Sequence, residues 1–179
     1  MFLNCGFCAP SARTSDYLDA RDARQVLILD ACRQARQRAE GVVIAVSVNI
    51  PGPEKNRPGV EPLVERGASA LGGQGIEGTR AFAGTDLLGP YRILVASGLA
   101  TRIKAETVAL ETSLPGGRVL DLDVLTPDGQ PVDRQRLGLT ARGCYACDRP
   151  ARECMLLARH TLPELLAAVD AQLALAHAA

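Results

Sequence analysis

The sequence predicts a single α+β domain with a mixed β-sheet and helices packed mainly on one of its faces. Two observations support this fold class: β-branched runs alternate with stretches of helical spacing, and Gly and Pro clusters separate them. In addition, no linker divides the 179 residues, and a chain of this length can bury about 70% of its surface around one core. We therefore assign residues 1–179 to one domain, with 143–179 as a subregion.

The first half of the chain predicts two helices and three strands. Helix starts are indicated by capping residues or Pro, helix ends by Gly, and strands by runs of β-branched residues. The predicted elements are a helix from Ser15 or Asp16 to Gly41, a strand over 42–50 before a Pro-Gly-Pro loop, a helix opening at Pro58 or Pro62 and ending near Gly72, and strands over 76–83 and 91–97.

The second half predicts two more helices and a strand with two different faces. Along 119–125, Asp121 and Asp123 share one face with Val119 and Leu125, and the other face is entirely apolar. The predicted elements are a helix over 99–111, the strand over 119–125, a turn over 126–129 into a partner strand near Val132, and a last helix opened by the capping box Thr161-x-x-Glu164.

Composition excludes several classes of function. The formal net charge is zero, and Asp residues are interspersed in the Arg-rich stretch 21–38, so we expect no nucleic-acid partner. Residues 1–10 lack the pattern of a secretory signal and no apolar run is long enough to span a membrane, which favours a cytoplasmic protein with no membrane partner. In that compartment, cysteines are expected to be thiols or metal ligands.

A pair of carboxylates carries the main functional prediction. Asp121 and Asp123 are two apart on the predicted strand and must point to the same side. Two such carboxylates repel each other unless a cation lies between them, and Mg²⁺ prefers oxygen ligands. The sequence therefore predicts a catalytic magnesium site, to which Glu111 could add a third carboxylate.

The residues before this strand are suited to phosphate binding. Gly116 and Gly117 would let a phosphate approach the backbone closely, and Arg118 could bind it through two hydrogen bonds. An Asp-x-Asp pattern alone more often marks a solvated strand face, but apolar neighbours and the Gly-Gly-Arg entry favour a site.

Other cations have two interpretations each. Lys55 follows the Pro-Gly-Pro loop at a strand end, where phosphate ligands occur, but a lone loop lysine is usually only exposed. Arg21 and Arg24 share a helix face and could meet the substrate or pair with nearby aspartates; Arg24 is kept as a substrate-binding candidate. Arg142, beside the cysteines, is equally open.

Four residues near the C-terminus match the ligand set of a structural zinc site. They are Cys144, Cys147, Cys154 and His160, with a knuckle-like first spacing but later gaps unlike a standard finger. The alternatives are reduced thiols packed as small apolar residues, or a catalytic Cys-His pair for which no orienting partner is identifiable.

Several ordered motifs resemble one family. The run 117–129, the Cys144-x2-Cys147-x6-Cys154-x5-His160 pattern, the segment 21–25 and the segment 50–55 are together similar to holo-citrate lyase synthases, the CitX family of apo-citrate lyase phosphoribosyl-dephospho-CoA transferases. The N-terminal Cys5-x2-Cys8 departs from the pattern of that family.

The resemblance implies a nucleotidyl transfer. The substrate would be 2'-(5''-triphosphoribosyl)-3'-dephospho-CoA, the acceptor a serine of the apo acyl carrier (gamma) subunit of citrate lyase, and the leaving group diphosphate. It also favours Lys55 as a ligand of the triphosphate. Two alternatives stay open: a synthase acting on another carrier, such as that of malonate decarboxylase, and a non-enzymatic zinc-binding interaction module.

Overall fold

Four antiparallel strands form the sheet at the centre of the protein. The computed structural model describes residues 13–178. The strands are β1 (Gly41–Val48), β2 (Gly78–Asp86), β3 (Gly89–Ser97) and β4 (Leu120–Leu125), in the spatial order β2-β3-β1-β4. Each neighbouring pair is antiparallel, so the predicted mixed sheet was wrong, although the α+β class is confirmed.

The pairing is antiparallel throughout because the β2–β3 hairpin places β3 between β1 and β2. Helix α2 (Val60–Gly73) connects β1 to β2, and α3 (Ala100–Ser113) connects β3 to β4. Each helix joins strands that run in the same direction, but another strand lies between the two members of each pair. This βαββαβ order with split crossovers is the ferredoxin-like arrangement.

Helices cover the two faces of the sheet unequally. Helices α2, α3 and the last helix, here α5 (Leu162–Ala178), pack on the larger core face, where Val46, Leu120 and Leu122 are fully buried. The first helix, α1 (Thr14–Ala35), packs alone on the opposite face through Ala31, Cys32 and Ala35. The prediction of helices mainly on one face is thus confirmed.

Helix boundaries differ modestly from the sequence prediction. The chain enters α1 with the backbone N–H of Arg13 donating to the Asp16 carboxylate at 2.8 Å, and it leaves the helix at Ala35 rather than near Gly41. Helix α5 begins as predicted, because Thr161 and Glu164 exchange the hydrogen bonds of a capping box.

The region between β4 and α5 is the least regular part of the fold. No partner strand forms near Val132 within the described residues; that segment adds only a bridge between Leu125 and Pro131 and one backbone hydrogen bond to Val124. A short helix, α4 (Ala151–Leu156), was not predicted. The cysteine pair at 5 and 8 lies outside the described residues. Among the described residues, no helix is both long and apolar enough to cross a membrane.

Candidate active site

The two predicted carboxylates lie side by side on the edge strand. Leu120, Leu122 and Val124 of β4 face the main core, while Asp121 and Asp123 point to the other face, as the alternation predicted. Their side chains are 36% and 61% exposed, respectively. Both line a cleft of about 750 Å³ between β4 and the loop that follows it.

Cationic side chains surround this carboxylate pair. Arg142 donates to Oδ1 of Asp121 at 2.9 Å, and the Lys104 ammonium lies 3.9 Å from Oδ1 of Asp123. Arg134 lines the same cleft. The loss of solvent around Asp123 and the neighbouring charge of Asp121 raise the pKa of Asp123, with Lys104 and Arg142 opposing the shift. A cation between the two carboxylates would relieve this repulsion.

Glu111, on α3, lies beside the free edge of β4 and forms a separate network of hydrogen bonds. Its carboxylate accepts hydrogen bonds from the Leu122 backbone N–H at 2.8 Å, from Arg142 at 2.8 Å and from Arg134. The side chain is 5% exposed, and the two arginine side chains are each 19% exposed. Glu111 therefore holds the arginines that border the carboxylate cleft.

Side chains from outside the sheet satisfy the free edge of β4. The Leu122 carbonyl accepts from Lys104 at 2.7 Å and the Leu120 carbonyl accepts from Arg142 at 3.1 Å. Unpaired edge groups would otherwise be open to another strand. The same cations thus bind the strand edge and approach its carboxylates, which fixes the position of the acidic pair.

The glycine pair before β4 is required by packing. A Cβ on Gly116, whose φ is +75°, would lie 2.7 Å from the Ala176 Cβ of α5, and one on Gly117 would lie 2.7 Å from the Leu110 carbonyl oxygen of α3. Both glycines are buried. Their small size lets the chain pass between two helices and places the next residue, Arg118, at the sheet end.

Arg118 is held by an aromatic ring and retains unused donors. Its guanidinium carbon lies 4.0 Å from the centroid of the Tyr145 ring, and Nη2 donates to the Gly143 carbonyl. Nε and Nη1 are buried without a hydrogen-bond partner among residues 13–178. Desolvation lowers the pKa of Arg118 from its ordinary value. Buried guanidinium donors of this kind are suited to an anionic ligand.

Lys55 and Arg24 do not join the carboxylate cleft. Lys55 turns back to donate to the Ile50 carbonyl and lines a separate cleft of about 350 Å³. Arg24 pairs with Asp86 at 2.6 Å and stacks 4.5 Å from the centroid of Tyr91, which ties α1 to the β2–β3 turn.

The four predicted zinc ligands come together. Their candidate ligand atoms all lie within 4.8 Å of one another, with 3.4 Å between the sulfurs of Cys147 and Cys154 and 3.3 Å from His160 Nε2 to the Cys147 sulfur. Tetrahedral zinc with Zn–S near 2.3 Å separates its ligand atoms by about 3.5–3.8 Å. The cluster has the donors and nearly the spacing that such an ion requires.

The pKa values of two thiols in this cluster shift in opposite directions, because hydrogen bonds from Ala146, Cys154 and Cys147 lower the pKa of Cys144 against the effect of its burial. The pKa of Cys154 is raised to about 12, first by burial and then by hydrogen bonds with Cys147 and Cys144. The four cysteines in the described part of the chain are free thiols. A cation at the centre would favour the thiolates, as metal ligation requires.

Sequence reasoning missed three residues of the site. Lys104 lies beside Asp123, Arg134 contacts Glu111 and Tyr145 contacts Arg118, but none of the three was singled out. One signal was present, because Lys104 lies seven residues before Glu111, on the same stripe of α3 as the buried Ile103 and Leu110. A lysine on a buried stripe needs a polar partner.

These features define the class of protein: a ferredoxin-like α+β domain that groups paired carboxylates with arginine and lysine side chains at a sheet edge. The chain belongs to the apo-citrate lyase phosphoribosyl-dephospho-CoA transferase family, whose model matches residues 13–175. The resemblance found in the sequence is thus confirmed.

Curated relatives carry the same description over most of their length. A probable apo-citrate lyase phosphoribosyl-dephospho-CoA transferase of Streptococcus pyogenes serotype M18 is 30% identical over 176 residues, which cover 92% of this chain and 86% of the relative. The corresponding transferase of Citrobacter koseri is 33% identical over 152 residues, 79% of this chain and 82% of the relative. That of Escherichia coli O139:H28 is 33% identical over 150 residues.

Proposed function

We propose that this protein transfers 2'-(5''-triphosphoribosyl)-3'-dephospho-CoA to a serine of the apo acyl carrier subunit of citrate lyase, with release of diphosphate. The observation that carries the proposal is the cleft in which Asp121 and Asp123 lie among Lys104, Arg134 and Arg142. Phosphoryl and nucleotidyl transfer needs this combination of metal-binding carboxylates and phosphate-binding cations. The names of the relatives describe a transferase of a phosphoribosyl-dephospho-CoA group acting on apo-citrate lyase.

The proposed reaction is a single displacement at phosphorus. The serine oxygen forms a bond to the phosphorus nearest the ribose, and the bond from that phosphorus to the oxygen of the outer two phosphates breaks. Diphosphate leaves with the electron pair of that bond, and the serine proton is released to solvent. The product is a phosphodiester between the carrier and the phosphoribosyl-dephospho-CoA group.

The carboxylate pair fits magnesium. Asp121 and Asp123 present oxygen donors from one strand face, both are partly exposed to the cleft, and desolvation together with the charge of Asp121 raises the pKa of Asp123. Magnesium bound there would supply positive charge shared between the carboxylates and the phosphate oxygens.

The remaining side chains bind the substrate or hold other residues in place. Arg142 and Lys104 border the carboxylates and would neutralise phosphate charge, while the free N–H groups of Arg118 would donate to a further phosphate oxygen. Lys55, in the separate cleft, is proposed to bind a more distant anionic group of the same large substrate. Glu111 acts as a positioning residue for the arginines.

The Cys/His cluster is proposed to hold a structural zinc ion. Three thiols and one imidazole complete a four-ligand set and leave no open position for a substrate, which is the pattern of structural rather than catalytic zinc. A cytoplasmic location, in which such cysteines are kept as thiols or metal ligands, is part of the same proposal. Metal analysis of untagged protein should find one zinc ion per chain; a substoichiometric amount would refute this assignment.

A transfer assay tests the function directly. The protein, Mg²⁺ and the activated precursor are incubated with the apo carriers of citrate lyase and of malonate decarboxylase, and each carrier is weighed by mass spectrometry. We expect the citrate lyase carrier to gain the mass of the phosphoribosyl-dephospho-CoA group in a reaction that EDTA stops. Modification of the malonate decarboxylase carrier alone would reassign the acceptor, and modification of neither would refute the proposal.

A further inference from the structure

The predicted metal ligands alternate along the chain with residues that contact the proposed substrate site. Within residues 142–147, here named the knuckle segment, Cys144 and Cys147 belong to the Cys/His cluster. Between and before them, Arg142 donates to Asp121, and Tyr145 stacks on Arg118. Cys144 is thus adjacent to Tyr145 and two residues from Arg142, and Cys147 is two residues from Tyr145.

The knuckle segment holds Arg118 from three directions. The Tyr145 ring covers one face of its guanidinium, and the Gly143 carbonyl accepts from Nη2. The Tyr145 hydroxyl lies 3.3 Å from the carbonyl oxygen of Arg118 itself and also donates to the Asn49 carbonyl. Arg118 therefore keeps its buried position only while this segment stays in place.

Burying Arg118 in this way is unfavourable without an additional source of stability. Two of its donors are buried and lack a partner among the described residues, and an unsatisfied buried donor carries a desolvation penalty. The knuckle segment is otherwise fixed by few backbone contacts: Cys144 N–H to Arg149 O at 2.7 Å, Ala151 N–H to Arg142 O at 2.8 Å, and a bridge between Gly143 and Pro150. The free energy of zinc binding by all four ligands, two of which are the cysteines of this segment, would exceed that penalty.

We propose that the ion in the Cys/His cluster is the positioning element of the phosphate site: zinc fixes the knuckle segment, and the knuckle segment fixes Arg118 and Arg142. Zinc touches no substrate in this arrangement, yet the affinity for a polyphosphate depends on it. The desolvated guanidinium of Arg118 then attracts a phosphate more strongly than an exposed arginine, because the local dielectric is lower. This inference rests on the zinc and phosphate sites assigned above.

Binding of inorganic tripolyphosphate with Mg²⁺, measured by calorimetry on the full chain, tests the proposal. The Cys154→Ser variant removes one ligand, and Tyr145→Leu leaves all ligands intact but removes the ring over Arg118. We expect each variant to weaken tripolyphosphate binding about tenfold. Tyr145→Phe, which keeps the stacked ring, should restore most of the affinity. Cys32→Ala, at a buried thiol outside the cluster, is the matched control and should bind like the wild type.

Cobalt substitution supplies a readout that does not depend on activity. Co²⁺ bound by three thiolates and an imidazole should give tetrahedral visible bands and thiolate charge transfer, which Cys154→Ser should lose and Tyr145→Leu should keep. Adding tripolyphosphate should leave the bands unchanged. A spectral change would show that phosphate reaches the ion, which would overturn a purely positioning role.

The outcomes separate this inference from the proposed function. If Tyr145→Leu and a zinc-free but folded Cys154→Ser both bind tripolyphosphate like the wild type while carrier transfer proceeds, the positioning role is refuted and the transferase assignment stands. If the wild type binds zinc but transfers nothing and binds no tripolyphosphate, the phosphate site itself is refuted. Should Cys154→Ser fail to fold, wild-type affinity of Tyr145→Leu for tripolyphosphate would still refute the proposal, because it would show that the knuckle segment does not hold Arg118 for phosphate binding.

Discussion

Replacing Glu111 with Gln distinguishes a positioning carboxylate from a catalytic one. The substitution keeps the volume of a side chain that is 5% exposed but removes the charge that pairs with Arg134 and Arg142. Arg142 still reaches Asp121 at 2.9 Å, whereas no other carboxylate in residues 13–178 lies within ion-pair distance of Arg134. The variant thus leaves one guanidinium without its partner.

The magnitude follows from these contacts. Removing one partner of a buried ion pair costs about 3–5 kcal/mol, and the arginine side chains here are partly exposed, so about 2–4 kcal/mol is expected. For a chain of this size that corresponds to a fall in Tm of about 5–15 °C. Thermal and urea denaturation followed by circular dichroism measure the change, with Glu106→Gln on the same helix as a control expected within about 0.5 kcal/mol.

A loss of transfer activity without a loss of stability would refute this reasoning. If Glu111→Gln leaves the free energy of unfolding within about 1 kcal/mol of the wild type while transfer falls by orders of magnitude, the carboxylate acts in the chemistry. Glu111 would then be the third carboxylate of the magnesium site that the sequence suggested, and the positioning role would be wrong.

Three further predictions concern the carboxylate pair and the glycine before it. Asp123→Asn should lower the transfer rate on the order of 100-fold without lowering Tm, because it removes a metal ligand and a repulsive charge together; an unaltered rate would exclude Asp123 from the site. Because Asp121 raises the pKa of Asp123, Asp121→Asn should lower that pKa and let Asp123 ionise at lower pH, as carboxyl ¹³C NMR would show; a pKa that does not fall would refute the coupling. Gly116→Ala should destabilise the fold by more than about 2 kcal/mol, because its Cβ would lie 2.7 Å from that of Ala176, whereas Gly72→Ala, with no atom within 4 Å, should not; equal stability of the two variants in urea would contradict the packing argument.

The strand that carries the site was predictable because its pattern is local. Alternation along 119–125 placed Asp121 and Asp123 on one face, and β4 confirms it from Leu120 onward. The sheet order was not predictable in the same way, since strand spacing along the chain does not reveal that the β2–β3 hairpin places β3 between β1 and β2. The mixed sheet was therefore wrong, although each crossover helix joins strands of one direction as the alternating pattern suggests.

The cations of the site depend on which strand is at the edge. Lys104 and Arg142 are placed by carbonyl groups of β4 that have no neighbouring strand, at Leu122 and Leu120. Sequence patterns give the faces of a strand but not its neighbours, so Lys104 carried no recognisable signal beyond its buried helical stripe. The Cys/His cluster, in contrast, was predicted as one of three alternatives from its residue types and its first spacing, and its four residues do converge.

One arginine links two carboxylates of the candidate site. Arg142 spans Asp121 and Glu111 at 2.9 and 2.8 Å, so in the absence of substrate it partly neutralises a carboxylate assigned to magnesium. An ion bound at Asp121 would compete with that guanidinium, and a phosphate group would attract it away. Metal and polyphosphate would then each favour the binding of the other, because both replace the same internal ion pair and the coupling must be reciprocal. On this reasoning Glu111 keeps Arg142 beside the cleft while metal and phosphate replace the ion pair between Arg142 and Asp121. A carboxylate that bound the metal itself would not hold Arg142 in this way.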